Sequence, residues 1–169
     1  QITSKMPPPD PSDMPPPPPD GDDMPEPRFD VHFKVSDTTL TGDLFNGSGY
    51  YGQAAKQLYV TLGKGASLTG SISATETIHV DENGRQNTHF TIDEYYYLGH
   101  VANRVFFNED NKVEVTLEAG SSWTVTKPGI ITALTVMEGA SLIGMIRVNG
   151  EDVCPEPGKA YTGIIEVSG

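Results

Sequence analysis

LYVTLGKGASLTGSI, residues 58–72, decides the reading of this chain, because its central phrase returns elsewhere in the sequence. Aligned on a hydroxyl residue followed by an apolar one, the copies are TLTG at 39–42, ASLTG at 66–70, SSWTV at 121–125 and ASLIG at 140–144. Three of them follow a run that alternates apolar and polar residues: Leu58, Val60 and Leu62; then Val113, Val115 and Leu117; then Leu134 and Val136. Period two places those residues on one face of a β-strand. A strand, a Gly-rich corner and a second short strand, repeated irregularly, is the sequence signature of stacked β repeats. The expected fold is therefore all-β, a parallel β-solenoid in which each repeat buries its neighbour. Corners that bend sharply favour glycine, the role expected of Gly42, Gly70, Gly120, Gly139 and Gly144. Ser67, Ser121 and Ser141 are expected to cap corner amides or to stack from repeat to repeat. Trp123 stands where the other copies carry Leu40, Leu68 and Leu142, so it is expected in the core.

The 169 residues divide unevenly, since most of the 14 prolines fall in residues 1–28, in the phrases MPPPDP, MPPPPP and MPEP. Proline fixes φ and removes a backbone donor, so this segment is expected to be a disordered or polyproline II linker outside any sheet. Deleting residues 1–27 is accordingly expected to leave the melting temperature unchanged, and a loss of several degrees in a thermal melt would show that the segment packs on the fold. The β-helix domain is expected over 29–169, opening on a strand in which Phe29, Val31, Phe33 and Val35 alternate with polar residues. An insertion at about 73–111 interrupts the repeat. Within it, Ile78 and Val80 are expected to pair across the Asn83-Gly84 turn with Phe90 and Ile92 as a hairpin, which would set His79 opposite His89. A last strand near Ile164 closes the sequence, and the start at Gln1 together with the end soon after Val167 suggests part of a longer protein.

The phrases TLTGDL, LYVTLGKGASLTGSI, VEVTLEAGSSWTVT and ITALTVMEGASLIG resemble the carboxy-terminal portion of large, secreted, adhesin-like right-handed β-helix proteins of anaerobic gut bacteria. The resemblance spans roughly residues 29–169. It implies a cofactor-free extracellular or cell-surface structural module, not an enzyme, with a host or bacterial surface glycan or protein as partner. The insertion departs from the regular repeat.

Charge narrows the partners further. A net charge of -12 opposes binding to nucleic acid, which relies on Lys and Arg to neutralise phosphates. No run of about 18 apolar residues is present, so no membrane-inserted helix is expected. The single cysteine, Cys154, cannot form an internal disulfide and reads as a small thiol in the turn VCPEPG.

Because pectin-active lyases and hydrolases share the β-helix fold, a carbohydrate-binding or carbohydrate-cleaving function is the alternative. It would need acids converging beside a basic residue. The acids adjacent in sequence are Asp81 with Glu82, Asp93 with Glu94, and Glu109 with Asp110, and none has calcium-loop spacing. Arg104 and Arg147 lie near apolar strands without an evident carboxylate pair. His32, His79, His89 and His100 lack metal-ligand spacing, so no metal or cofactor is expected. The candidate ligand-binding surface is EYYYLGH: Glu94, Tyr95, Tyr96, Tyr97 and His100. Tyr95 and Tyr97 share one strand face and Tyr96 the other, and tyrosines beside a carboxylate suit glycan or peptide recognition by stacking and hydrogen bonding. The competing expectation is that these rings cover the side of the β-helix.

Overall fold

A computed structural model describes residues 30–47, 56–81, 83–86 and 101–169. The described residues are all-β, with strands β1 (Val31–Val35), β2 (Thr39–Thr41), β3 (Leu44–Gly47), β4 (Leu58–Leu62), β5 (Ser67–Thr69), β6 (Ile72–His79) and β7 (Val101–Val105) in the first part. The second part adds β8 (Val113–Leu117), β9 (Ser122–Thr124), β10 (Gly129–Val136), β11 (Ser141–Ile143), β12 (Met145–Val148), β13 (Glu151–Val153) and β14 (Lys159–Ser168). No helix is present among them. The proline-rich segment 1–28 lies outside the described residues.

The repeated phrases pair with one another. In the first sheet β1, β4, β8 and β10 run parallel, with Phe33 opposite Val60, Val60 opposite Val115, and Val115 opposite Leu134. In the second sheet β2, β5, β9 and β11 run parallel, placing Leu40, Leu68, Trp123 and Leu142 in one row. The third sheet pairs β3 with β6, Leu44 opposite Ile72. Period two along each strand then sends every aligned apolar row to the same side. Val60, Leu62, Val115, Leu117, Leu134 and Trp123 are all buried in one continuous core. Fully burying a side chain of the Val or Leu class contributes about 1.5–3 kcal/mol, so these rows dominate stability. The same row is less covered at β1, an edge strand, where Val31 is 51% exposed.

Corner chemistry divides into two kinds. In the turns before β9 and β11, Gly120 and Gly139 take left-handed backbone (φ 79 at both), and Gly65 (φ 73) does the same before β5. Asp37 (φ 50) fills the corresponding position before β2, where a short polar side chain tolerates that conformation. The corners bond to each other, Gly65 N–H donating to Gly120 O (3.1 Å) and Gly120 N–H to Gly139 O (2.9 Å). Gly70 answers a different need: a Cβ there would collide with the carbonyl oxygen of Gly42 on the neighbouring repeat. The serines split as well. Ser67 Oγ donates to Thr39 Oγ1 (3.1 Å), stacking from repeat to repeat as expected. Ser121 instead occupies the buried position of Ala66 and Ala140, and its hydroxyl donates to the Glu118 carbonyl (2.7 Å) rather than capping an amide.

The expected partner of the strand that carries Ile78 changes. The antiparallel partner of β6 is β7, with His79 opposite Val101. The Asn83-Gly84 turn closes only a short loop, bridged at Val80 and Gln86, and Phe90, Ile92 and His89 lie outside the described residues. In the third sheet the parallel pairing of β6 with β3 runs as far as Thr75, the residue opposite Gly47.

The end of the chain likewise abandons parallel pairing. Strand β14 lies between β10 and β12 and is antiparallel to both, while β13 is antiparallel to β12 and forms the sheet edge. The Asn149-Gly150 turn (φ 51 and 88), the left-handed pair that a two-residue hairpin requires, sets β13 antiparallel to β12. A bulge between Ile131 and Ala133 lets β10 follow both partners. There the Thr132 hydroxyl donates to Val113 O (2.8 Å) and accepts from Val113 N–H (3.2 Å).

Asp43 joins the second and third sheets. Its carboxylate accepts from Lys127 Nζ (2.7 Å) and from Ser71 N–H (2.9 Å). These bonds, the lysine's first, hold its carboxyl below the usual carboxylate range. A folded-state pKa below the unfolded one means that the contribution is fully present above the unfolded value, about 3.9, and is lost as pH falls through the folded value. Asp43→Asn is therefore expected to flatten the acid limb of the stability curve, by no more than about 1 kcal/mol because Lys127 is largely exposed. Urea melts at several pH values between neutral and strongly acid check this, and an unchanged acid limb would remove Asp43 from the account.

Candidate functional site at the C-terminal groove

The expected tyrosine surface, Glu94, Tyr95, Tyr96, Tyr97 and His100, lies outside the described residues, as do Glu82, Asp93 and His89. The remaining sequence candidates resolve into structural roles. Asp81 Oδ1 accepts from the N–H groups of Asn83 (2.8 Å) and Arg85 (2.9 Å), which is a turn-forming arrangement. Glu109 pairs with Lys112 (2.8 Å), and the Asp110 N–H is bound by Asn108 Oδ1 (2.8 Å). His32 stacks on Tyr59 with ring centroids 4.6 Å apart on the outer side of the first sheet, and the Tyr59 hydroxyl donates to Gln57 Oε1 (2.6 Å). Among the described residues no three His, Cys, Asp or Glu side chains converge as metal ligands.

The arginines carry the correction. Arg104 is paired with Glu76 across β6 and β7. Arg147, expected to lack a carboxylate pair, sits between two carboxylates: its Nε donates to Asp152 Oδ1 (2.9 Å), and Nη1 lies 3.5 Å from Glu166 Oε2. Sheet register produces the cluster. Arg147 of β12 is directly opposite Asp152 of β13 on one side and Glu166 of β14 on the other, so all three side chains leave the same face. The Asp152 hydrogen bond, then its charge and that of Glu166, push the guanidinium pKa up. The signal that could have found the first pair was present in RVNGED, where Asn149-Gly150 at the tip makes Arg147 and Asp152 cross-strand neighbours. Glu166 carried no such local signal.

This cluster borders a groove of about 780 Å³ formed by the ends of β10, β12, β13 and β14 with Val105 of β7. Its apolar lining includes Ile130 and Met145, which share the outer face with Arg147, and Val105, and the exposed Cys154 lies on its wall beside Pro155. Met145 is 65% exposed, the most exposed large apolar side chain among the described residues. A concave, mostly apolar groove with a few converging polar groups is the common form of a small-ligand site, and its volume falls in the usual range. Comparison of the chain with family models, with curated proteins and with solved structures gives no match.

Proposed function

We propose that this chain is a right-handed parallel β-helix that serves as a non-catalytic, adhesin-like structural module, displayed outside the cell or on its surface. The observation that carries this reading is the shared order of pairing. Repeats succeed one another in the same sequence in the first and second sheets, and β3 with β6 continue that order in the third. A chain built so that each repeat templates the next gains length and rigidity, and its core rows leave little room for a buried reaction centre. Attachment to a host or bacterial surface glycan or protein is the corresponding partner class.

The carbohydrate-cleaving alternative would place Arg147 as the base beside a uronate, since it is the arginine next to two acids in a groove. Its partners oppose that role. Asp152 and Glu166 favour the protonated guanidinium, which then has no lone pair with which to take a proton. The deciding experiment is to incubate the full chain with pectin, other uronate polymers and neutral polysaccharides, following unsaturated and reducing-end products, alongside a glycan and surface-protein array. Array binding without product is the expected outcome. Product formation that disappears in Arg147→Lys would replace the structural reading with the enzymatic one. An experimental structure tests the fold itself: a chain that winds left-handed through the three sheets, or leaves them side by side, would reject the β-helix.

A further inference from the structure

We propose that the C-terminal groove binds an organic cation with an aliphatic body, an alkylammonium group carried either by a free amine or by a lysine side chain of a peptide. The inference stands independently of the β-helix reading, because it rests only on the groove and its rim.

Charge at the rim selects the sign of the ligand. One guanidinium faces two carboxylates, and the Arg147 contacts do not use them equally: Asp152 is held at 2.9 Å, whereas Glu166 stands at 3.5 Å. The side chains of Asp152 and Glu166 are 82% and 52% exposed, so each keeps oxygen surface turned to solvent. An ammonium group arriving there gains a second partner for each carboxylate and needs to displace nothing. An anion would have to take Arg147 away from Asp152 and then sit beside both carboxylates. The acidic chain as a whole adds a long-range pull on cations.

Body chemistry follows from the walls. Ile130, Met145 and Val105 present aliphatic surface, and no aromatic ring lines the groove among the described residues, which suits an alkyl chain. Met145, unbranched and exposed, can follow the shape of the occupant. A bare metal ion does not fit, because the rim carboxylates already share one guanidinium and no third acidic, His or Cys ligand joins them among the described residues.

Cys154, the sole cysteine, makes the groove measurable in the full chain. The probes are n-hexylammonium, n-hexanol and hexanoate, and the readouts are the rate of Cys154 alkylation by iodoacetamide and the NMR shift of the Met145 methyl group. Hexylammonium is expected to slow alkylation and move the methyl signal at concentrations about fivefold below those needed for hexanol, with hexanoate weakest. Asp152→Asn and Glu166→Gln together should remove that preference while the melting curve, recorded as a folding control, stays in place. Acetyl-Leu-Lys-amide and its norleucine analogue distinguish the source: a lysine-dependent gain over hexylammonium assigns the cation to a peptide, and the reverse order assigns it to a free amine. Equal binding of hexanol or hexanoate, a cation preference that survives both substitutions in a folded protein, or no protection by any probe would overturn the proposal.

Discussion

Trp123→Ala is expected to destabilise the protein by roughly 3–5 kcal/mol, the range for removing a buried aromatic side chain from a core that collapses only in part. Trp123 is fully buried between Leu68 and Leu142, its cross-strand neighbours in the second sheet. It also does something that its leucine equivalents cannot, since its Nε1–H donates to the Gly70 carbonyl (3.0 Å). Gly70 is the corner where the backbone of the neighbouring repeat approaches too closely for any side chain, so the indole bond fixes a site that depends on tight approach. Two losses therefore combine, a cavity and an unsatisfied carbonyl, and Trp123→Leu separates them. Leucine restores part of the apolar volume and matches the row, leaving chiefly the unbonded Gly70 oxygen at about 1–3 kcal/mol. Urea denaturation followed by circular dichroism measures both, because the chain loses its one tryptophan fluorophore in each variant. A cost under about 1 kcal/mol for Trp123→Ala would be incompatible with a core role for the row.

The second-sheet row was legible in the sequence for a physical reason. Parallel strands in register place equivalent residues of successive repeats in contact, so a phrase that recurs along the chain is also a list of spatial neighbours. Aligning ASLTG with SSWTV and ASLIG thus places Leu68, Trp123 and Leu142 together, as they stand in the second sheet. Antiparallel pairing carries no such echo. Strand β14 has no repeat equivalent, and its place between β10 and β12 is set by long-range packing of Ile165 and Val167 into the core. The Arg147 cluster inherits that opacity, because one acid comes from a hairpin and the other from a strand whose partner no local pattern reveals. The same holds for Lys127 and Asp43, which the corner geometry brings to 2.7 Å across a large sequence separation. Repeats disclose their own contacts, and a site assembled where the repeat stops has to be found in the fold.

Asn111 illustrates that limit at the scale of one side chain, and its substitution should rival that of Trp123. In sequence it closes an acidic, hydrophilic phrase, FNEDN, and reads as solvated loop. In the fold it is completely buried. Its Nδ2 donates to the carbonyls of Thr75 and Phe106 (2.9 Å each) and approaches that of Asn46 (3.5 Å), while its Oδ1 accepts from the Asn108 N–H (2.9 Å). Asn46 repeats the device one layer away, donating to Lys56 O (2.7 Å) and Lys112 O (2.9 Å). Together the two amides bond backbone carbonyls where the third sheet turns toward the first, one of which, Lys112 O, also accepts from the Leu58 N–H (3.0 Å). Asn111→Ala removes the partner of the buried Thr75 carbonyl and of the part-buried Phe106 carbonyl and Asn108 N–H, at about 1–3 kcal/mol for each group that water does not reach, for an expected loss of about 3–4 kcal/mol. Asn111→Asp is the sharper probe because its volume is unchanged. At neutral pH a carboxylate oxygen would face the Thr75 and Phe106 carbonyls, like dipole ends in contact, and the loss should exceed that of alanine. Protonation turns one oxygen into a donor, so the folded-state pKa of this aspartate must lie above the unfolded one, and stability relative to wild type should recover as pH falls through that folded value. Equilibrium urea melts of both variants at neutral and mildly acid pH decide the matter. If Asn111→Asp tracks Asn111→Ala at every pH, the side-chain amide is not acting as a donor to those carbonyls, and the inter-sheet corner owes its order to apolar packing alone.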